Sequence, residues 1–198
     1  MVKRNLPKFA WCFLLIPLLT MTVAATTYRA ELGSESFVEY EASDPSGTWQ
    51  GRAPLETLEL TFDDEALGEL SLEATLDPGR FDSGNVIRDA NARRGVFETG
   101  QYPVITLSAQ GVQADTAGLA EGETKRLALV GRLEMHGEIN EITVPAEVSR
   151  VEGTLRAQGA FDVLLSDYDM NRPSFLGTTV DDEVTVRFNV VGTLREVE

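Results

Sequence analysis

Residues 58–76 read LELTFDDEALGELSLEATL, and the fold class turns on their spacing. Leu58, Leu60 and Phe62 alternate with Glu59 and Thr61. After a polar turn over Asp63 to Gly68, Leu70, Leu72, Ala74 and Leu76 alternate with Glu69, Ser71, Glu73 and Thr75. A period of two sends successive side chains to opposite faces of an extended chain, so the segment predicts an antiparallel hairpin with one dry face and one wet face. Asp77-Pro78-Gly79 ends it with residues suited to a turn.

The same spacing recurs on both sides. Upstream, Tyr28, Ala30 and Leu32 alternate, then Ser36, Val38 and Tyr40, which fits two strands or one kinked strand. Asp44-Pro45-Ser46-Gly47 is a turn, and Thr48 to Gly51 opens the next element, with Trp49 placed to plug or line an interior. Downstream, Ile105, Leu107 and Ala109 share a face, and residues 113–124, rich in Ala, Gly, Thr and acids, read as a long hairpin loop. Leu127, Leu129, Leu133 and Met135 lead to a bend at His136-Gly137-Glu138, and Ile142, Val144, Ala146 and Val148 return. Leu155, Ala157, Gly159, Phe161 and Val163 follow, with Gly159 a candidate bend of the wall. A loop from Asp167 to Thr179 then precedes a last strand through Val184, Val186, Phe188 and Val190.

One stretch, Arg88 to Leu107, breaks the pattern. Asn85 can cap a helix, Asp89 suits its positive end, and Gly95 offers a left-handed residue to stop it. Phe97 and Tyr102 bracket a polar turn, and Pro103 starts the β-branched run Val104-Ile105-Thr106. The count is about eight hairpin-connected strands and one short helix. A closed barrel of about eight strands holds either side chains or one small ligand, and a β-sandwich is the rival arrangement.

Residues 1–25 read as a secretory signal peptide: Lys3, Arg4 and Lys8 precede an apolar run from Phe9 to Leu19, and Val23-Ala24-Ala25 supplies small residues for cleavage. The run falls short of the roughly 20 residues of a membrane span, and Pro17 interrupts it. Cys12, the single cysteine, leaves with the leader, so residues 26–198 form one domain without disulfide or thiol chemistry. Losing three basic residues takes the net charge from −15 to −18, and Lys125 is then the one lysine. So acidic a surface argues against nucleic acid and against charge-driven docking to anionic lipid. No later apolar run implies an integral membrane segment. Oligomeric state is not legible.

Chemistry has little to work with. His136 is the only histidine, no G-x-S-x-G occurs, and zinc would need several His or Cys ligands. Asp63-Asp64-Glu65 and Asp181-Asp182-Glu183 lack the spaced acids and glycine of a calcium loop and read as solvated turns. No cofactor is implied. Arg88, Arg93 and Arg94 form the closest thing to a cationic cluster: they can solvate the helix and pair with Asp89 or Glu98, and Arg88 can also receive a polar headgroup at a barrel mouth.

Arg88-Asp89, Phe97-Glu98 and Tyr102-Pro103 also resemble a motif of the YceI-like family of secreted, polyisoprenoid-binding proteins, with Asn91 and Ala92 where that family usually has His and Leu. Gly131, Leu133, His136, Gly137 and Ile142 to Val148 match its second signature, with Glu134 in place of Thr. At the start, Tyr28, Glu31, Glu35 and Ser36 occupy the places usually held by Trp, Asp, His and Ser. The resemblance implies an all-β, antiparallel, eight-stranded lipocalin-like barrel with a short helix near its mouth. It implies periplasmic or secreted binding and carriage of a long-chain isoprenoid or acyl lipid: a polyisoprenoid, an isoprenoid quinone or a fatty-acid derivative. Val86, Ile87, Val96, Phe97 and Tyr102 are then the candidate lid, and Leu72, Leu107, Leu133, Met135, Phe161 and Met170 the candidate lining. Two other readings stand beside it: a filled barrel whose Asp167 to Thr179 loop docks an envelope protein, and an enzyme using His136 with Glu134 or Glu138.

Overall fold

The computed structural model describes residues 26–113, 117–175 and 177–197; the leader reading of residues 1–25 lies outside them. Alternation resolves into β1 (Thr27–Leu32), β2 (Phe37–Asp44), β3 (Gly47–Pro54), β4 (Thr57–Asp63) and β5 (Ser71–Leu76), then helix α1 (Val86–Gly95). After the helix come β6 (Ile105–Gln113), β7 (Thr124–Met135), β8 (Glu138–Val151), β9 (Thr154–Leu164), a small hairpin of β10 (Ser174–Phe175) and β11 (Thr178–Thr179), and β12 (Glu183–Glu196). Strands β1, β4, β5, β6, β7, β8, β9 and β12 follow one another around a ring that closes when β12 pairs with β1, every pairing antiparallel. This is a closed eight-stranded barrel of lipocalin-like form.

Closure depends on β12 having two partners. Its second half pairs with β1, from Leu32 against Gly192 to Tyr28 against Glu196, and its first half pairs with β2, from Glu41 against Thr185 to Phe37 against Asn189. Strands β1 and β2 thus lie end to end along one neighbour, as a single strand broken at Gly33 to Ser36, and the β2–β3 hairpin extends one end of the wall. At the break Val191 would lose its ladder partner. Buried Ser36 replaces it: its hydroxyl donates to the Val191 carbonyl at 3.1 Å and accepts from the Val191 N–H at 3.0 Å. Gly33 N–H also donates to that carbonyl at 2.7 Å, and a Cβ on Gly33 would stand 2.8 Å from it.

The two ends of the barrel differ. At the base, Leu67 and Leu119, each 1 % exposed, pack with Phe62, Leu70, Leu127 and Leu155. Leu119 belongs to the stretch read as a plain hairpin loop, so that reading is corrected for its described part: the loop folds back as a plug. Gly118 passes so close to the Asp64 carbonyl that a Cβ there would sit 1.7 Å away. Buried Arg150 staples the plug, donating to the Leu119 carbonyl at 3.3 Å and pairing with Asp64 at 3.3 Å and Glu121 at 3.2 Å. Its guanidinium also lies over the Tyr28 ring at 4.0 Å.

At the other end α1 forms where its cap predicts. Asn85 Oδ1 accepts from the N–H groups of Ile87 and Arg88, each at 3.1 Å. Two expectations are corrected. Gly95 is not the left-handed stop: it is the last helical residue, Val96 follows with right-handed φ, and Glu98 takes the positive φ of 46°. Nor does Arg93 pair with an acid among the described residues. Its Nε donates to the Gly79 carbonyl at 2.6 Å and Nη2 to that of Phe81 at 3.4 Å, lashing the helix to the turn after β5. Asp89 does more than face the helix dipole: it is buried and accepts from the N–H and hydroxyl of Ser83.

Substituting Ser36→Ala leaves both Val191 groups without their side-chain partner, and should lower stability by about 1–3 kcal/mol in urea unfolding. A loss within the error of the measurement would show that the break is bridged by other means.

Candidate ligand cavity and the clasp at its mouth

Alternation around a closed ring sends every second side chain inward, and these inward residues do not fill the space they enclose. A cavity of about 690 Å³ remains, within the range of about 300–1,000 Å³ seen for small-molecule sites. At its closed base it is lined by Leu58, Leu60, Phe62, Leu67 and Leu119, along its middle by residues such as Leu129, Val144 and Phe188, and at its mouth by Trp49, Arg88, Asn91, Pro173 and Ser174. Its walls are therefore hydrocarbon over nearly the whole depth, with polar groups gathered at the helix end.

The predicted lining residues Leu72, Leu107, Leu133, Met135, Phe161 and Met170 all face this cavity. Of the predicted lid, Ile87, Val96 and Phe97 also line it. Val86 does not: it is 81 % exposed, beside Ile87 at 75 %, on the outer rim of the mouth. Tyr102 does not line it either: its ring packs against His136, with centroids 4.3 Å apart. Trp49 lines the cavity, as expected of one of its two readings. Tyr40, Ile105 and Val144 carried the same alternation signal without being singled out. Asp44 ends β2 in phase with Val38, Tyr40 and Ala42, whereas Ser46 in the turn to β3 and Ser174 in the two-residue β10 have no period to betray which way they face.

The residues of the two sequence motifs meet in a clasp. His136 and Gly137, with φ of 56° and 84°, form the tight turn from β7 to β8, where positive φ at both positions matches the twist of the strands. The His136 side chain is only 7 % exposed, which corrects its reading as a polar turn residue. Its Nδ1 lies 3.1 Å from the Tyr168 carbonyl, and its Nε2 lies 3.7 Å from Glu98 Oε2 with no hydrogen-bond partner among the described residues. Tyr102 covers the turn closely enough that a Cβ on Gly137 would approach its ring to 2.9 Å. Three segments are thereby tied together: the turn after α1, the β7–β8 turn and the loop before β10. His136 is not part of the cavity wall, and the carboxylate beside it belongs to Glu98, not to Glu134 or Glu138 as the acid–base reading required.

A second aromatic group steadies the helix over the opening. Phe81 and Phe97 stack at 5.4 Å, and Tyr40 meets Phe81 edge-on at 5.1 Å. Burial, then the nearby Asp89 carboxylate, raises the Tyr40 hydroxyl above the ordinary tyrosine range, so it stays protonated. Asp44, also on the lining, is held below the usual carboxylate range by hydrogen bonds from the Ser46 hydroxyl and N–H. Among the described residues no group of three or more His, Cys, Asp and Glu could hold a metal, and no helix is long and apolar enough to cross a membrane.

Comparison with known proteins agrees with this architecture. The barrel resembles a polyisoprenoid-binding domain from Saccharophagus degradans implicated in plant cell wall breakdown, with a TM-score of 0.65 and 20 % identity over 86 % of this chain and 99 % of that one. It also resembles Burkholderia cenocepacia BcnA, with a TM-score of 0.69 and 20 % identity over 82 % of this chain and 100 % of that one. A YCEI protein of Campylobacter jejuni superposes with a TM-score of 0.52 at 14 % identity, covering 100 % of this chain and 99 % of its own. At such identities these likenesses speak to the fold. A search of curated proteins finds no match. The YceI-like domain matches residues 31–192, nearly the whole ring from β1 to β12, and the chain belongs to that family.

Proposed function

We propose that this protein binds and carries a long-chain amphiphile, a polyisoprenoid, an isoprenoid quinone or a fatty-acid derivative, outside the cytoplasm. The observation that carries the reading is the cavity: one continuous hydrocarbon-lined space, shut at the base by Leu67 and Leu119 and open beside α1. A ligand there needs few polar contacts, because each methylene removed from water contributes about 0.8 kcal/mol. Elongated cargo suits the walls, since the lining runs from Leu67 and Leu119 at the base to Trp49 and Arg88 at the mouth. The polyisoprenoid-binding description of the Saccharophagus degradans relative supports the class of ligand. The leader-like residues 1–25 support export and, with the family, a periplasmic address. The interaction-module reading requires a filled barrel, whereas this one encloses a cavity. Non-covalent holding is the chemistry in keeping with a cavity that His136 does not enter.

Two substitutions test this. Leu107→Trp places an indole in the cavity wall and should reduce uptake of a fluorescent polyene fatty acid by lipid-stripped protein about tenfold or more, with the circular dichroism spectrum unchanged. Full uptake by a folded Leu107→Trp protein would contradict the cavity as the binding site. His136→Ala should lower the melting temperature, because it opens the clasp, while uptake at low temperature stays at the level of the unaltered protein. Loss of uptake in a folded His136→Ala protein would place the ligand elsewhere.

A further inference from the structure

On the carrier reading, the chemistry of the mouth also defines the head of the ligand. Arg88 is the one cation among the described residues that line the cavity. Its guanidinium is held from one side: Nε donates to Ser83 Oγ at 2.9 Å and Nη2 to the Ser83 carbonyl at 3.0 Å. Ser83 is held in turn by the buried Asp89 carboxylate, which makes Asp89 a positioning residue for Arg88. The guanidinium carbon lies 5.5 Å from the Trp49 ring centre, so the group is steadied on both sides. Its remaining nitrogen, Nη1, has no protein partner among the described residues.

Tyr40 brings a second donor to the same wall. The hydroxyl edge of its ring lies so close to Gly51, the residue opposite it on β3, that a Cβ there would be 2.4 Å from it. No acceptor among the described residues takes the proton of the Tyr40 hydroxyl. Asp44, the one carboxylate on the lining, is already engaged, accepting from the N–H and hydroxyl of Ser46 at 2.7 and 2.5 Å and from the Thr178 hydroxyl at 3.5 Å. The mouth therefore offers donors in want of an acceptor.

We infer that the head of the ligand is a singly charged anion, a carboxylate, accepting hydrogen bonds from Arg88 Nη1 and the Tyr40 hydroxyl. Hydrogen bonds between ionised partners are roughly twice as strong as neutral ones, and in a hydrocarbon-walled cavity their contrast with an unmet donor grows. A single charge is favoured over two. Asp89 stands nearby, and the whole chain carries −15, so each further negative charge on the head meets repulsion that the one guanidinium does not offset.

Calorimetric titration of lipid-stripped protein with hexadecanoate, hexadecanol and hexadecyl phosphate, which share one tail, decides the matter. Hexadecanoate should bind about tenfold or more tighter than hexadecanol, and tighter than the doubly charged phosphate. Arg88→Gln should bring the ratio of acid to alcohol affinity close to one. Tyr40→Phe, which keeps the ring on Gly51, should weaken hexadecanoate about threefold or more. Melting temperatures of both variants check that the barrel is intact. Equal binding of acid and alcohol by the unaltered protein, or a ratio that survives Arg88→Gln, would overturn the anionic head while the carrier reading stands. Tightest binding of hexadecyl phosphate would overturn the single charge. Binding of none of the three would overturn the anionic head, and a failure to take up isoprenoid quinone as well would overturn the carrier reading with it.

Discussion

The pairing of β1 with β12 is the constraint on which the rest of the molecule depends. Once that ladder closes the sheet, no edge remains in the ring, and the two faces of every strand become an inside and an outside. Alternation, which in an open sheet would distinguish a packed face from a wet one, here determines what a cavity is made of. The closure is not free of local difficulty, because β12 must also hold β2, and the chain has to step from one register to the next across Gly33 to Ser36. A hydroxyl that both donates to and accepts from Val191 lets the step occur without orphaned backbone groups. The interior then inherits its chemistry from Leu, Val, Ala and Phe at the inward positions.

Polar chemistry is confined to the two ends, and each end uses a buried charge differently. At the base, Arg150 holds a loop shut by pairing with Asp64 and Glu121 and by donating to the Leu119 carbonyl. Removing either side of such a pairing leaves an uncompensated charge out of water, so it acts as a fastening more than as a source of net stability. At the mouth, Asp89 and Ser83 orient Arg88 but leave part of its guanidinium unspent toward the cavity. One arginine is paired with two carboxylates of the fold, and the other makes no ion pair among the described residues. That contrast separates a closed end from an end at which a ligand's polar group can rest.

The barrel was legible because its signal is a period repeated from Leu58 to Val190, and a repeated period survives local exceptions. The same signal identified the wall: Leu72, Leu107, Leu133, Met135 and Phe161 face inward because their strands are extended and paired in register. The misreadings fall where no period exists. Leu119 sits among small and acidic residues, and nothing local shows that its loop turns back into the base. His136 reads as a turn residue because it is one; its burial comes from Tyr102, Glu98 and Tyr168, which approach from distant parts of the chain. Gly95 has the identity of a helix stop, yet the left-handed position falls on Glu98. Tyr102 matched the family motif, and the structure assigns that match to the clasp.

The central claim is that the hollow is occupied in the functioning protein. Native mass spectrometry of protein purified from a bacterial periplasm, followed by organic extraction, tests it most directly. The account predicts a mass above that of the bare chain by one long-chain lipid, and recovery of that lipid in the extract. A mass equal to the bare chain, together with no uptake of added isoprenoid quinone or fatty acid, would contradict it.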